Sequence, residues 1–237
     1  MRLFIDTGSV AEVEEIAAWG VLAGATTNPS LLAKEDGDPG EIVRRICDLV
    51  GGPTSAEVVS QDPAGMVEEG RALFELHEHV VVKVPFCKEG LAATHELTGD
   101  GIPVNMTLVF SPSQALLAAS AGATYVSCFM GRLDDISIDS VGVVGEIVEE
   151  FRAGGVTSQI IAASIRNPEH AIAAAKLGCE IATVPSGVLR QMLEHPLTSS
   201  GAEKFRKDWE SRPEFAEWLG ELVAARVGAK AASPQSG

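Results

Sequence analysis

Cysteine is sparse and scattered in this sequence. The four cysteines, Cys47, Cys87, Cys128 and Cys179, form no CxxC pair, and no group of Cys and His has the spacing of zinc ligands. The sequence therefore predicts no metal site. Separate, reduced thiols are the usual state in the cytoplasm, which is where we expect the protein to act.

Basic residues are also few. The chain has 18 Lys and Arg against 33 Asp and Glu, which gives a formal net charge of −15, and its pI is about 4.7. A field of this sign repels nucleic acids and anionic membrane surfaces, so we expect neither as a partner. The same field repels phosphorylated molecules, and a phosphate site must therefore be a local basic pocket.

Long apolar runs are absent as well. No segment of about 18 apolar residues occurs, so the sequence predicts no membrane span. The apolar residues at the start, Leu3 to Ile5, are followed by Asp6 and are too few for a signal peptide. Hydrophobic residues nevertheless make up 46% of the chain, which is enough for a large core.

What the sequence does contain is a regular alternation of strand-like and helix-like segments. Several helices are predicted to begin at a proline that follows a capping side chain, as at Asp62-Pro63 and Asn167-Pro168. The eight predicted strands, each followed by a helix-like segment, cover residues 3–6, 25–27, 55–59, 80–84, 104–109, 125–129, 160–163 and 181–184.

Eight βα units in a chain of about 240 residues predict an α/β fold, the closed (β/α)8 TIM barrel. An open doubly wound sheet is the alternative, but it requires a GxGxxG turn that residues 6–9 do not have. Two amphipathic helices predicted over residues 203–209 and 215–227 are not needed to close a barrel. We therefore expect one domain over residues 1–227, which includes these outer helices, and a flexible tail over residues 228–237.

One lysine lies inside an apolar strand, between Val82 and Val84. Because removing an ammonium from water costs several kcal/mol, Lys83 is an unusual residue for a buried strand. Burial favours the neutral amine of a lysine, which is the nucleophile that forms Schiff bases with carbonyl substrates. The strand alone also fits a second interpretation, in which the Lys83 stem packs at the strand end and its ammonium reaches water.

Polar residues follow nearly every predicted strand. The carboxyl ends of barrel strands form a mouth, and TIM-barrel enzymes place their catalytic residues there. Because these strand ends converge, we expect their side chains to form one site. They are Asp6, Thr27, Asn28, Glu57, Lys83, Asn105, Thr107, Ser127, Arg132, Ser164 and Arg166.

Seven segments on separate predicted strands resemble the signature segments of the small transaldolases, within the transaldolase/fructose-6-phosphate aldolase family of class I Schiff-base aldolases. The resemblance runs in order from about Leu3 to Trp209. It implies a (β/α)8 barrel, sugar-phosphate substrates, no cofactor and no metal. It also implies a homo-oligomer, since relatives are decamers built from pentamers. The segments are residues 4–7, 25–30, 55–58, 82–85, 105–111, 129–132 and 162–166.

The resemblance implies a catalytic role for four residues at the mouth. Lys83 would form the Schiff base. Asp6 would take the hydroxyl proton when the C–C bond of the substrate breaks. Glu57 and Thr107 would hold the water that carries protons during imine formation.

The resemblance also implies substrate-binding residues. Asn28 and Asn105 would bind the hydroxyls of a dihydroxyacetone unit. A basic group would bind the substrate phosphate, for which guanidinium geometry is well suited. In that group Arg132 and Arg166 supply the positive charge and Ser164 supplies a hydroxyl. Thr27, Ser127 and Phe129 complete the predicted pocket.

Several of these residues have a plain structural interpretation beside the functional one. Asp6 would cap the following helix, and Glu57 would be a solvated strand-end carboxylate. Asn28 and Asn105 would be loop residues that bind their own backbone. The arginines would be ordinary surface residues.

The resemblance implies a transaldolase of the pentose phosphate pathway. It would move a dihydroxyacetone unit from sedoheptulose 7-phosphate or fructose 6-phosphate to glyceraldehyde 3-phosphate or erythrose 4-phosphate. Relatives that act as fructose-6-phosphate aldolases carry Gln in place of Glu57 and Tyr in place of Phe129, so the sequence favours transfer. The alternatives are that aldolase, which releases free dihydroxyacetone, and a non-catalytic barrel that binds a sugar phosphate.

Two cysteines depart from the family pattern. Cys87 stands where Ser or Thr is common, and Cys128 stands where proline is usual. Both are expected near the mouth, where they would bear on sensitivity to oxidation.

Overall fold

A computed structural model describes residues 1–232 of the chain and the side chains of residues 1–226. Eight parallel strands form a closed barrel in which the strand order is the chain order and the last strand pairs with the first. This confirms the predicted (β/α)8 TIM barrel. The strands are β1 (Arg2–Asp6), β2 (Leu22–Thr26), β3 (Thr54–Glu57), β4 (Val80–Pro85), β5 (Val104–Val109), β6 (Tyr125–Phe129), β7 (Gln159–Ala163) and β8 (Ile181–Pro185).

Helices follow the strands, as the sequence predicts, and two further short helices stand directly after β2 and β6. The helices are α1 (Val10–Ala17), α2 (Pro29–Leu32), α3 (Pro39–Val50), α4 (Pro63–Phe74), α5 (Lys88–Gly99), α6 (Pro112–Ser120), α7 (Gly131–Asp134), α8 (Ser140–Gly154), α9 (Pro168–Leu177), α10 (Ser186–Leu193), α11 (Pro196–Glu210) and α12 (Pro213–Ala232).

The predicted helix starts are confirmed by their capping hydrogen bonds. Asp62 accepts a hydrogen bond from the backbone N–H of Gly65 at 2.9 Å, and Asn167 accepts one from the backbone N–H of His170 at 2.9 Å. Each bond satisfies one of the free N–H groups in the first helical turn. The proline between cap and helix has no N–H that needs a partner, so these starts are well defined.

The barrel interior is apolar at one level and polar at the next. Because side chains alternate along a strand, the residue two positions after an interior residue also points inward, one layer closer to the mouth. Asp6, Lys83, Ser127 and Thr183 are such residues, each two positions beyond an apolar one. That apolar layer comprises Phe4, Val81, Tyr125, Ile161 and Ile181.

The unit Met1–Gln191 contains the barrel, and the described residues from Met192 onward form a second compact unit. In it, Trp209 of α11 contacts Phe215 and Trp218 of α12, with ring centroids 5.2 and 6.4 Å apart. Both predicted helices are present and are longer than expected.

The domain boundaries stay a prediction. Helix α12 continues to Ala232, so the first residues of the tail predicted over residues 228–237 are helical. Residues 233–237 lie outside the residues that the structure describes. Within the described part of the chain, no helix has the length and apolar character required to cross a membrane.

Candidate active site

A cavity opens at the carboxyl ends of the barrel strands. Its inner part has a volume of about 150 Å³ and reaches Asp6, and its outer part has a volume of about 410 Å³ and extends along α2. The structure therefore brings most of the predicted site residues together. Those that line the cavity are Asp6, Asn28, Glu57, Lys83, Thr107, Ser127, Phe129, Arg132 and Ser164.

Lys83 is the basic residue on the inner face of β4, and only 5% of its surface is exposed. Its Nζ atom donates to the carbonyl oxygen of Thr27 at 2.7 Å and lies 3.0 Å from Oε2 of Glu57. The interpretation in which the ammonium reaches water at the strand end is therefore wrong. The interpretation of Glu57 as a solvated carboxylate is also wrong, because only 13% of its side chain is exposed and its carboxylate is paired with Lys83.

The direct contact between Lys83 and Glu57 was not predicted. It follows from the strand register, in which the two residues are partners on β3 and β4. Both side chains point into the barrel at the same level, so a carboxylate meets the ammonium at the mouth. Pairing compensates the charge that burial would otherwise leave without a partner.

Asp6 ends β1 and lines the inner cavity. Its Oδ1 atom accepts a hydrogen bond from the hydroxyl of Thr26 at 2.6 Å. Burial raises the pKa of Asp6 above its ordinary value of 3.8, although the Thr26 hydrogen bond and the positive charge of Lys83 act in the opposite direction. Helix α1 has Ser9 at its N-cap, so the interpretation of Asp6 as a helix cap is wrong.

Thr107 lies on β5 and lines both parts of the cavity. Its hydroxyl is buried and has no hydrogen-bond partner among the described residues. The next residue, Leu108, has a φ of 61°, and the register with β6 shifts between Met106 and Val109. A backbone held in this rarely populated region is typical of functional sites, and here it shapes the wall beside Lys83.

Three predicted substrate-binding residues lie outside the cavity lining, and two of them, Asn105 and Thr27, are buried. Asn105 is fully buried, and its amide donates to the Ser55 hydroxyl at 3.0 Å and accepts from the Ser127 hydroxyl at 2.8 Å. The Thr27 hydroxyl donates to the carbonyl oxygen of Ser55 at 2.8 Å. The loop interpretation of Asn105 is wrong, since it is a strand residue. Both side chains instead form a hydrogen-bonded layer beside the cavity.

Asn28 caps a helix and also lies at the cavity. Its Oδ1 atom accepts a hydrogen bond from the backbone N–H of Leu31 at 2.9 Å and so caps α2. Its side chain also lines both parts of the cavity. Because the cap uses only the carbonyl oxygen, the amide NH₂ group is available to a ligand.

Arg132 and Phe129 form one side of the cavity. The Arg132 guanidinium lies 5.6 Å from the centroid of the Phe129 ring, which packs edge-on against Phe110 with the centroids 5.5 Å apart. Cation–π contact restrains the guanidinium at the mouth. A positive charge therefore faces the cavity despite the acidic composition of the chain.

The second predicted arginine is not in the cavity lining. Arg166 is exposed and forms an ion pair with Asp135, with Nη2 and Oδ2 2.6 Å apart. Ser164 does line the cavity, and its backbone has a φ of 56°. A Cβ atom on Gly131 would lie 2.4 Å from the Ser164 carbonyl oxygen and 2.6 Å from Cγ of Arg166, so glycine permits this close packing.

Two polar residues of the inner cavity wall were not predicted from the sequence. Thr26 and Thr183 both line the inner cavity beside Asp6, and both are buried. The available signal was the alternation of β8, where Thr183 stands two positions beyond the inward-facing Ile181. Within the described residues, no three His, Cys, Asp or Glu side chains are grouped in a way that could hold a metal ion.

A family model described as Transaldolase/Fructose-6-phosphate aldolase matches residues 3–222. The chain belongs to this family. The match covers the barrel strands except Arg2 and includes every residue that lines the cavity, and it confirms the resemblance inferred from the sequence.

Curated relatives agree with the family match. A probable transaldolase of Symbiobacterium thermophilum is 53% identical over 211 residues, which cover 89% of this chain and 98% of that protein. A probable transaldolase of Caldicellulosiruptor saccharolyticus is 54% identical over 214 residues, covering 90% and 99%. One from Methanococcus maripaludis is 49% identical over 211 residues, covering 89% and 98%.

Among solved structures, the chain is similar to the thiamine phosphate pyrophosphorylase of Pyrococcus furiosus. The TM-score is 0.56 at 17% identity, and the alignment covers 78% of this chain and 85% of that one. At this identity the likeness concerns the fold alone.

The two cysteines that depart from the family pattern lie in different surroundings. Cys87 is the N-cap of α5, where its Sγ atom accepts a hydrogen bond from the backbone N–H of Gly90 at 3.2 Å. Cys128 is buried in the main hydrophobic core, and burial raises the pKa of its thiol. Cys128 directly precedes the cavity residue Phe129, but its side chain does not line the cavity and faces the core, where a buried thiol is inert.

Proposed function

We propose that the protein is a transaldolase that moves a dihydroxyacetone unit between sugar phosphates through a Schiff base on Lys83. The observation that carries this proposal is the buried Lys83 ammonium, which is paired with Glu57 and shares one cavity with Asp6 and Thr107. Family membership and the names of the curated relatives support the same activity.

In the first step, Lys83 attacks the C2 carbonyl of a ketose phosphate. The ammonium must first lose a proton, and the Glu57 carboxylate at 3.0 Å is the nearest acidic group that can accept it. The resulting carbinolamine loses hydroxide as water, with the proton returned from Glu57. The Thr107 hydroxyl, which has no partner among the described residues, would hold the water that carries protons between these groups.

In the second step, the Asp6 carboxylate removes the proton from the C4 hydroxyl. The C4–O bond becomes a carbonyl, the C3–C4 bond breaks, and its electron pair moves into the protonated imine to give an enamine on Lys83. Because the pKa of Asp6 is raised, the protonated carboxyl is well suited to return this proton when the acceptor aldehyde adds.

The remaining predicted residues are proposed to bind substrate. Arg132 lines the cavity and is proposed to hold the phosphate together with Ser164. Arg166 would join them when its guanidinium exchanges Asp135 for the phosphate. Asn28, Ser127 and Phe129 line the same pocket, and Thr27 and Asn105 are proposed to take part from the hydrogen-bonded layer beside it.

Further proposals rest on the family resemblance. We propose that the protein acts in the cytoplasm, in the pentose phosphate pathway, as a homo-oligomer and without cofactor or metal. Sedoheptulose 7-phosphate or fructose 6-phosphate would be the donor, and glyceraldehyde 3-phosphate or erythrose 4-phosphate the acceptor.

Borohydride trapping tests the Schiff base. Reduction in the presence of fructose 6-phosphate should add a dihydroxyacetone-derived mass to the peptide that contains Lys83, since only an imine is reduced to a stable amine. Lys83→Arg should lose both the adduct and turnover, because a guanidinium stays charged and cannot attack a carbonyl. The matched control is Lys88→Arg, at an exposed position on α5, which should keep both. An adduct on another lysine would contradict the mechanism, and no adduct would favour a non-catalytic binding barrel.

The family description also includes fructose-6-phosphate aldolase, which is the second candidate function. With Glu57 and Phe129 at the mouth, no phenol is available to orient protonation of the enamine, so the enamine should wait for an acceptor. Free dihydroxyacetone should therefore form slowly from fructose 6-phosphate alone, and erythrose 4-phosphate should speed consumption greatly. Phe129→Tyr, especially with Glu57→Gln, should raise release. Equal rates with and without acceptor in the unchanged protein would favour the aldolase.

A further inference from the structure

Thr183 is joined to Asp6 by a short chain of hydroxyls. The Oγ1 atom of Thr183 lies 2.6 Å from Oγ1 of Thr26, and the Thr26 hydroxyl donates to Oδ1 of Asp6 at 2.6 Å. The three residues stand on neighbouring strands, because β1 pairs with β2 on one side and with β8 on the other. Thr183 is 3% exposed and lines the inner cavity.

The number of protons fixes the direction of this chain. Thr26 has one hydroxyl proton, and an ionised Asp6 can only accept. The Thr26 hydroxyl therefore donates its hydrogen bond to Asp6. In the contact between the two threonines, Thr183 must then be the donor. The donation from Thr183 polarises the Thr26 hydroxyl and makes it a stronger donor to the carboxylate.

We infer that Thr183 is a positioning residue for Asp6, acting through Thr26 to orient the carboxylate and to hold it ionised for proton removal from the substrate. The inference rests on the proposed function, in which Asp6 is the base. It assigns a role to a residue that touches Asp6 only through another side chain.

Several charges surround Asp6 and set the background for this effect. Lys83 and Arg132 are the ionisable groups that share the inner cavity with Asp6, and Glu57 is paired with Lys83. The positive charge of Lys83 favours the ionised carboxylate, whereas burial opposes it. The hydrogen bonds of the hydroxyl chain also favour the ionised carboxylate, so their loss should raise the pH at which Asp6 ionises.

The test compares Thr183→Val with Thr183→Ser. Valine keeps the shape of threonine and removes the hydroxyl, whereas serine retains it. In the transfer reaction from fructose 6-phosphate to erythrose 4-phosphate, Thr183→Val should move the acidic limb of the kcat profile upward by roughly half a pH unit, since one supporting hydrogen bond is lost. The KM should change little, and Thr183→Ser should restore the profile.

Thr94→Val is the matched control. Thr94 is a fully buried threonine on α5 whose hydroxyl has no partner among the described residues, so its removal should leave the pH profile unchanged. An unchanged acidic limb in Thr183→Val would overturn the inference, and so would a Thr183→Ser profile that matches the Val variant.

A second measurement does not depend on activity. The carboxyl carbon of Asp6 can be followed by NMR titration in protein labelled with ¹³C at aspartate, with Asp6→Asn identifying the signal. The midpoint of its titration should be higher in Thr183→Val than in the wild type, and Thr183→Ser should have the wild-type midpoint. An unchanged midpoint in Thr183→Val would contradict the proposed role of the hydroxyl chain. If borohydride traps no adduct on Lys83 while the Asp6 midpoint still moves, the proposed function is wrong, but the effect of the Thr183 hydroxyl on Asp6 is confirmed.

Discussion

At the scale of the residue, Asp6 is a buried carboxylate whose hydrogen-bond partner is a hydroxyl rather than a cation. Its raised pKa means that the folded protein binds the Asp6 proton more tightly than the unfolded chain does. Ionised Asp6 therefore lowers the free energy of unfolding at neutral pH, and this penalty disappears as the pH falls below the ordinary value of 3.8.

Asp6→Asn should accordingly stabilise the protein while it abolishes turnover. An amide can still accept the Thr26 hydrogen bond but carries no charge to bury, so the Tm should rise by a few degrees at about pH 8. The gain should shrink as the pH falls towards about 4, because wild-type Asp6 then becomes protonated. Thermal unfolding at several pH values measures this. Exposed Asp36→Asn is the control, and a Tm gain independent of pH would contradict the explanation.

The two arginines of the proposed phosphate site can be tested separately. Arg132→Ala and Arg166→Ala should each reduce kcat/KM for phosphorylated substrates by roughly ten- to a hundredfold, since a charge-assisted hydrogen bond is worth about 1.5–3 kcal/mol. Unphosphorylated substrates such as free dihydroxyacetone should be affected far less. Steady-state kinetics on both substrate types measure the difference, and equal losses on both would mean that the arginines support the fold instead.

Residues of the site were predictable where chemistry and strand ends coincide, as at Lys83. The ion pair with Glu57 was not, because it depends on the register of two strands. Thr27 was predicted at the cavity because β2 was predicted over residues 25–27, whereas the strand ends at Thr26. Because consecutive residues along a strand point to opposite faces, Thr26 and not Thr27 lines the cavity.

At the scale of the element, β1 and β2 meet at an irregular pair. Leu3 pairs with Leu22 but Phe4 pairs with Gly24, so the register shifts by one residue. A Cβ atom on Gly24 would lie 2.4 Å from Cε1 of Phe4 and 2.6 Å from the carbonyl oxygen of Pro53. The absence of a side chain at position 24 therefore makes room for the Phe4 ring in the apolar layer.

Gly24→Ala should lower the free energy of unfolding by about 1–3 kcal/mol, the usual effect of overpacking a core. Gly187→Ala is the matched control, because a Cβ atom there meets no atom within 4 Å and the position lies in α10. It should stabilise the protein by about 0.5–1 kcal/mol, since alanine is the better helix residue. Urea unfolding measures both, and a neutral Gly24→Ala would show that the Phe4 ring can move aside.

The two unpredicted helices, α2 and α7, differ in whether the sequence contains a signal for their start. Helix α2 has the same start signal as α9, an asparagine cap followed by proline, and Asn28-Pro29 could have been interpreted in that way. Helix α7 starts after Met130, which makes no capping side-chain bond. Both helices are four residues long. A segment of this length shows no helical periodicity, so only a cap can predict it.

At the scale of the whole molecule, the barrel was predictable because each βα unit has its own start and end signals. All but one of the strand pairings join strands that are consecutive in the chain. The exception is the β1–β8 pair, which runs from Arg2 opposite Ile181 to Asp6 opposite Pro185. No local pattern in the sequence encodes this closure, and it was inferred from the number of units and from the family resemblance.

Formation of the β1–β8 pair during folding can be followed through the recovery of enzymatic activity. Its loop-closure entropy is the largest of any strand pair, so this pair should form late, after the helices. The Asp6, Thr26 and Thr183 hydroxyl chain crosses this seam and cannot exist before it closes. After dilution from urea, the far-ultraviolet circular dichroism signal should therefore recover before enzymatic activity does. Identical time courses for the two signals would mean that the barrel closes as its helices form.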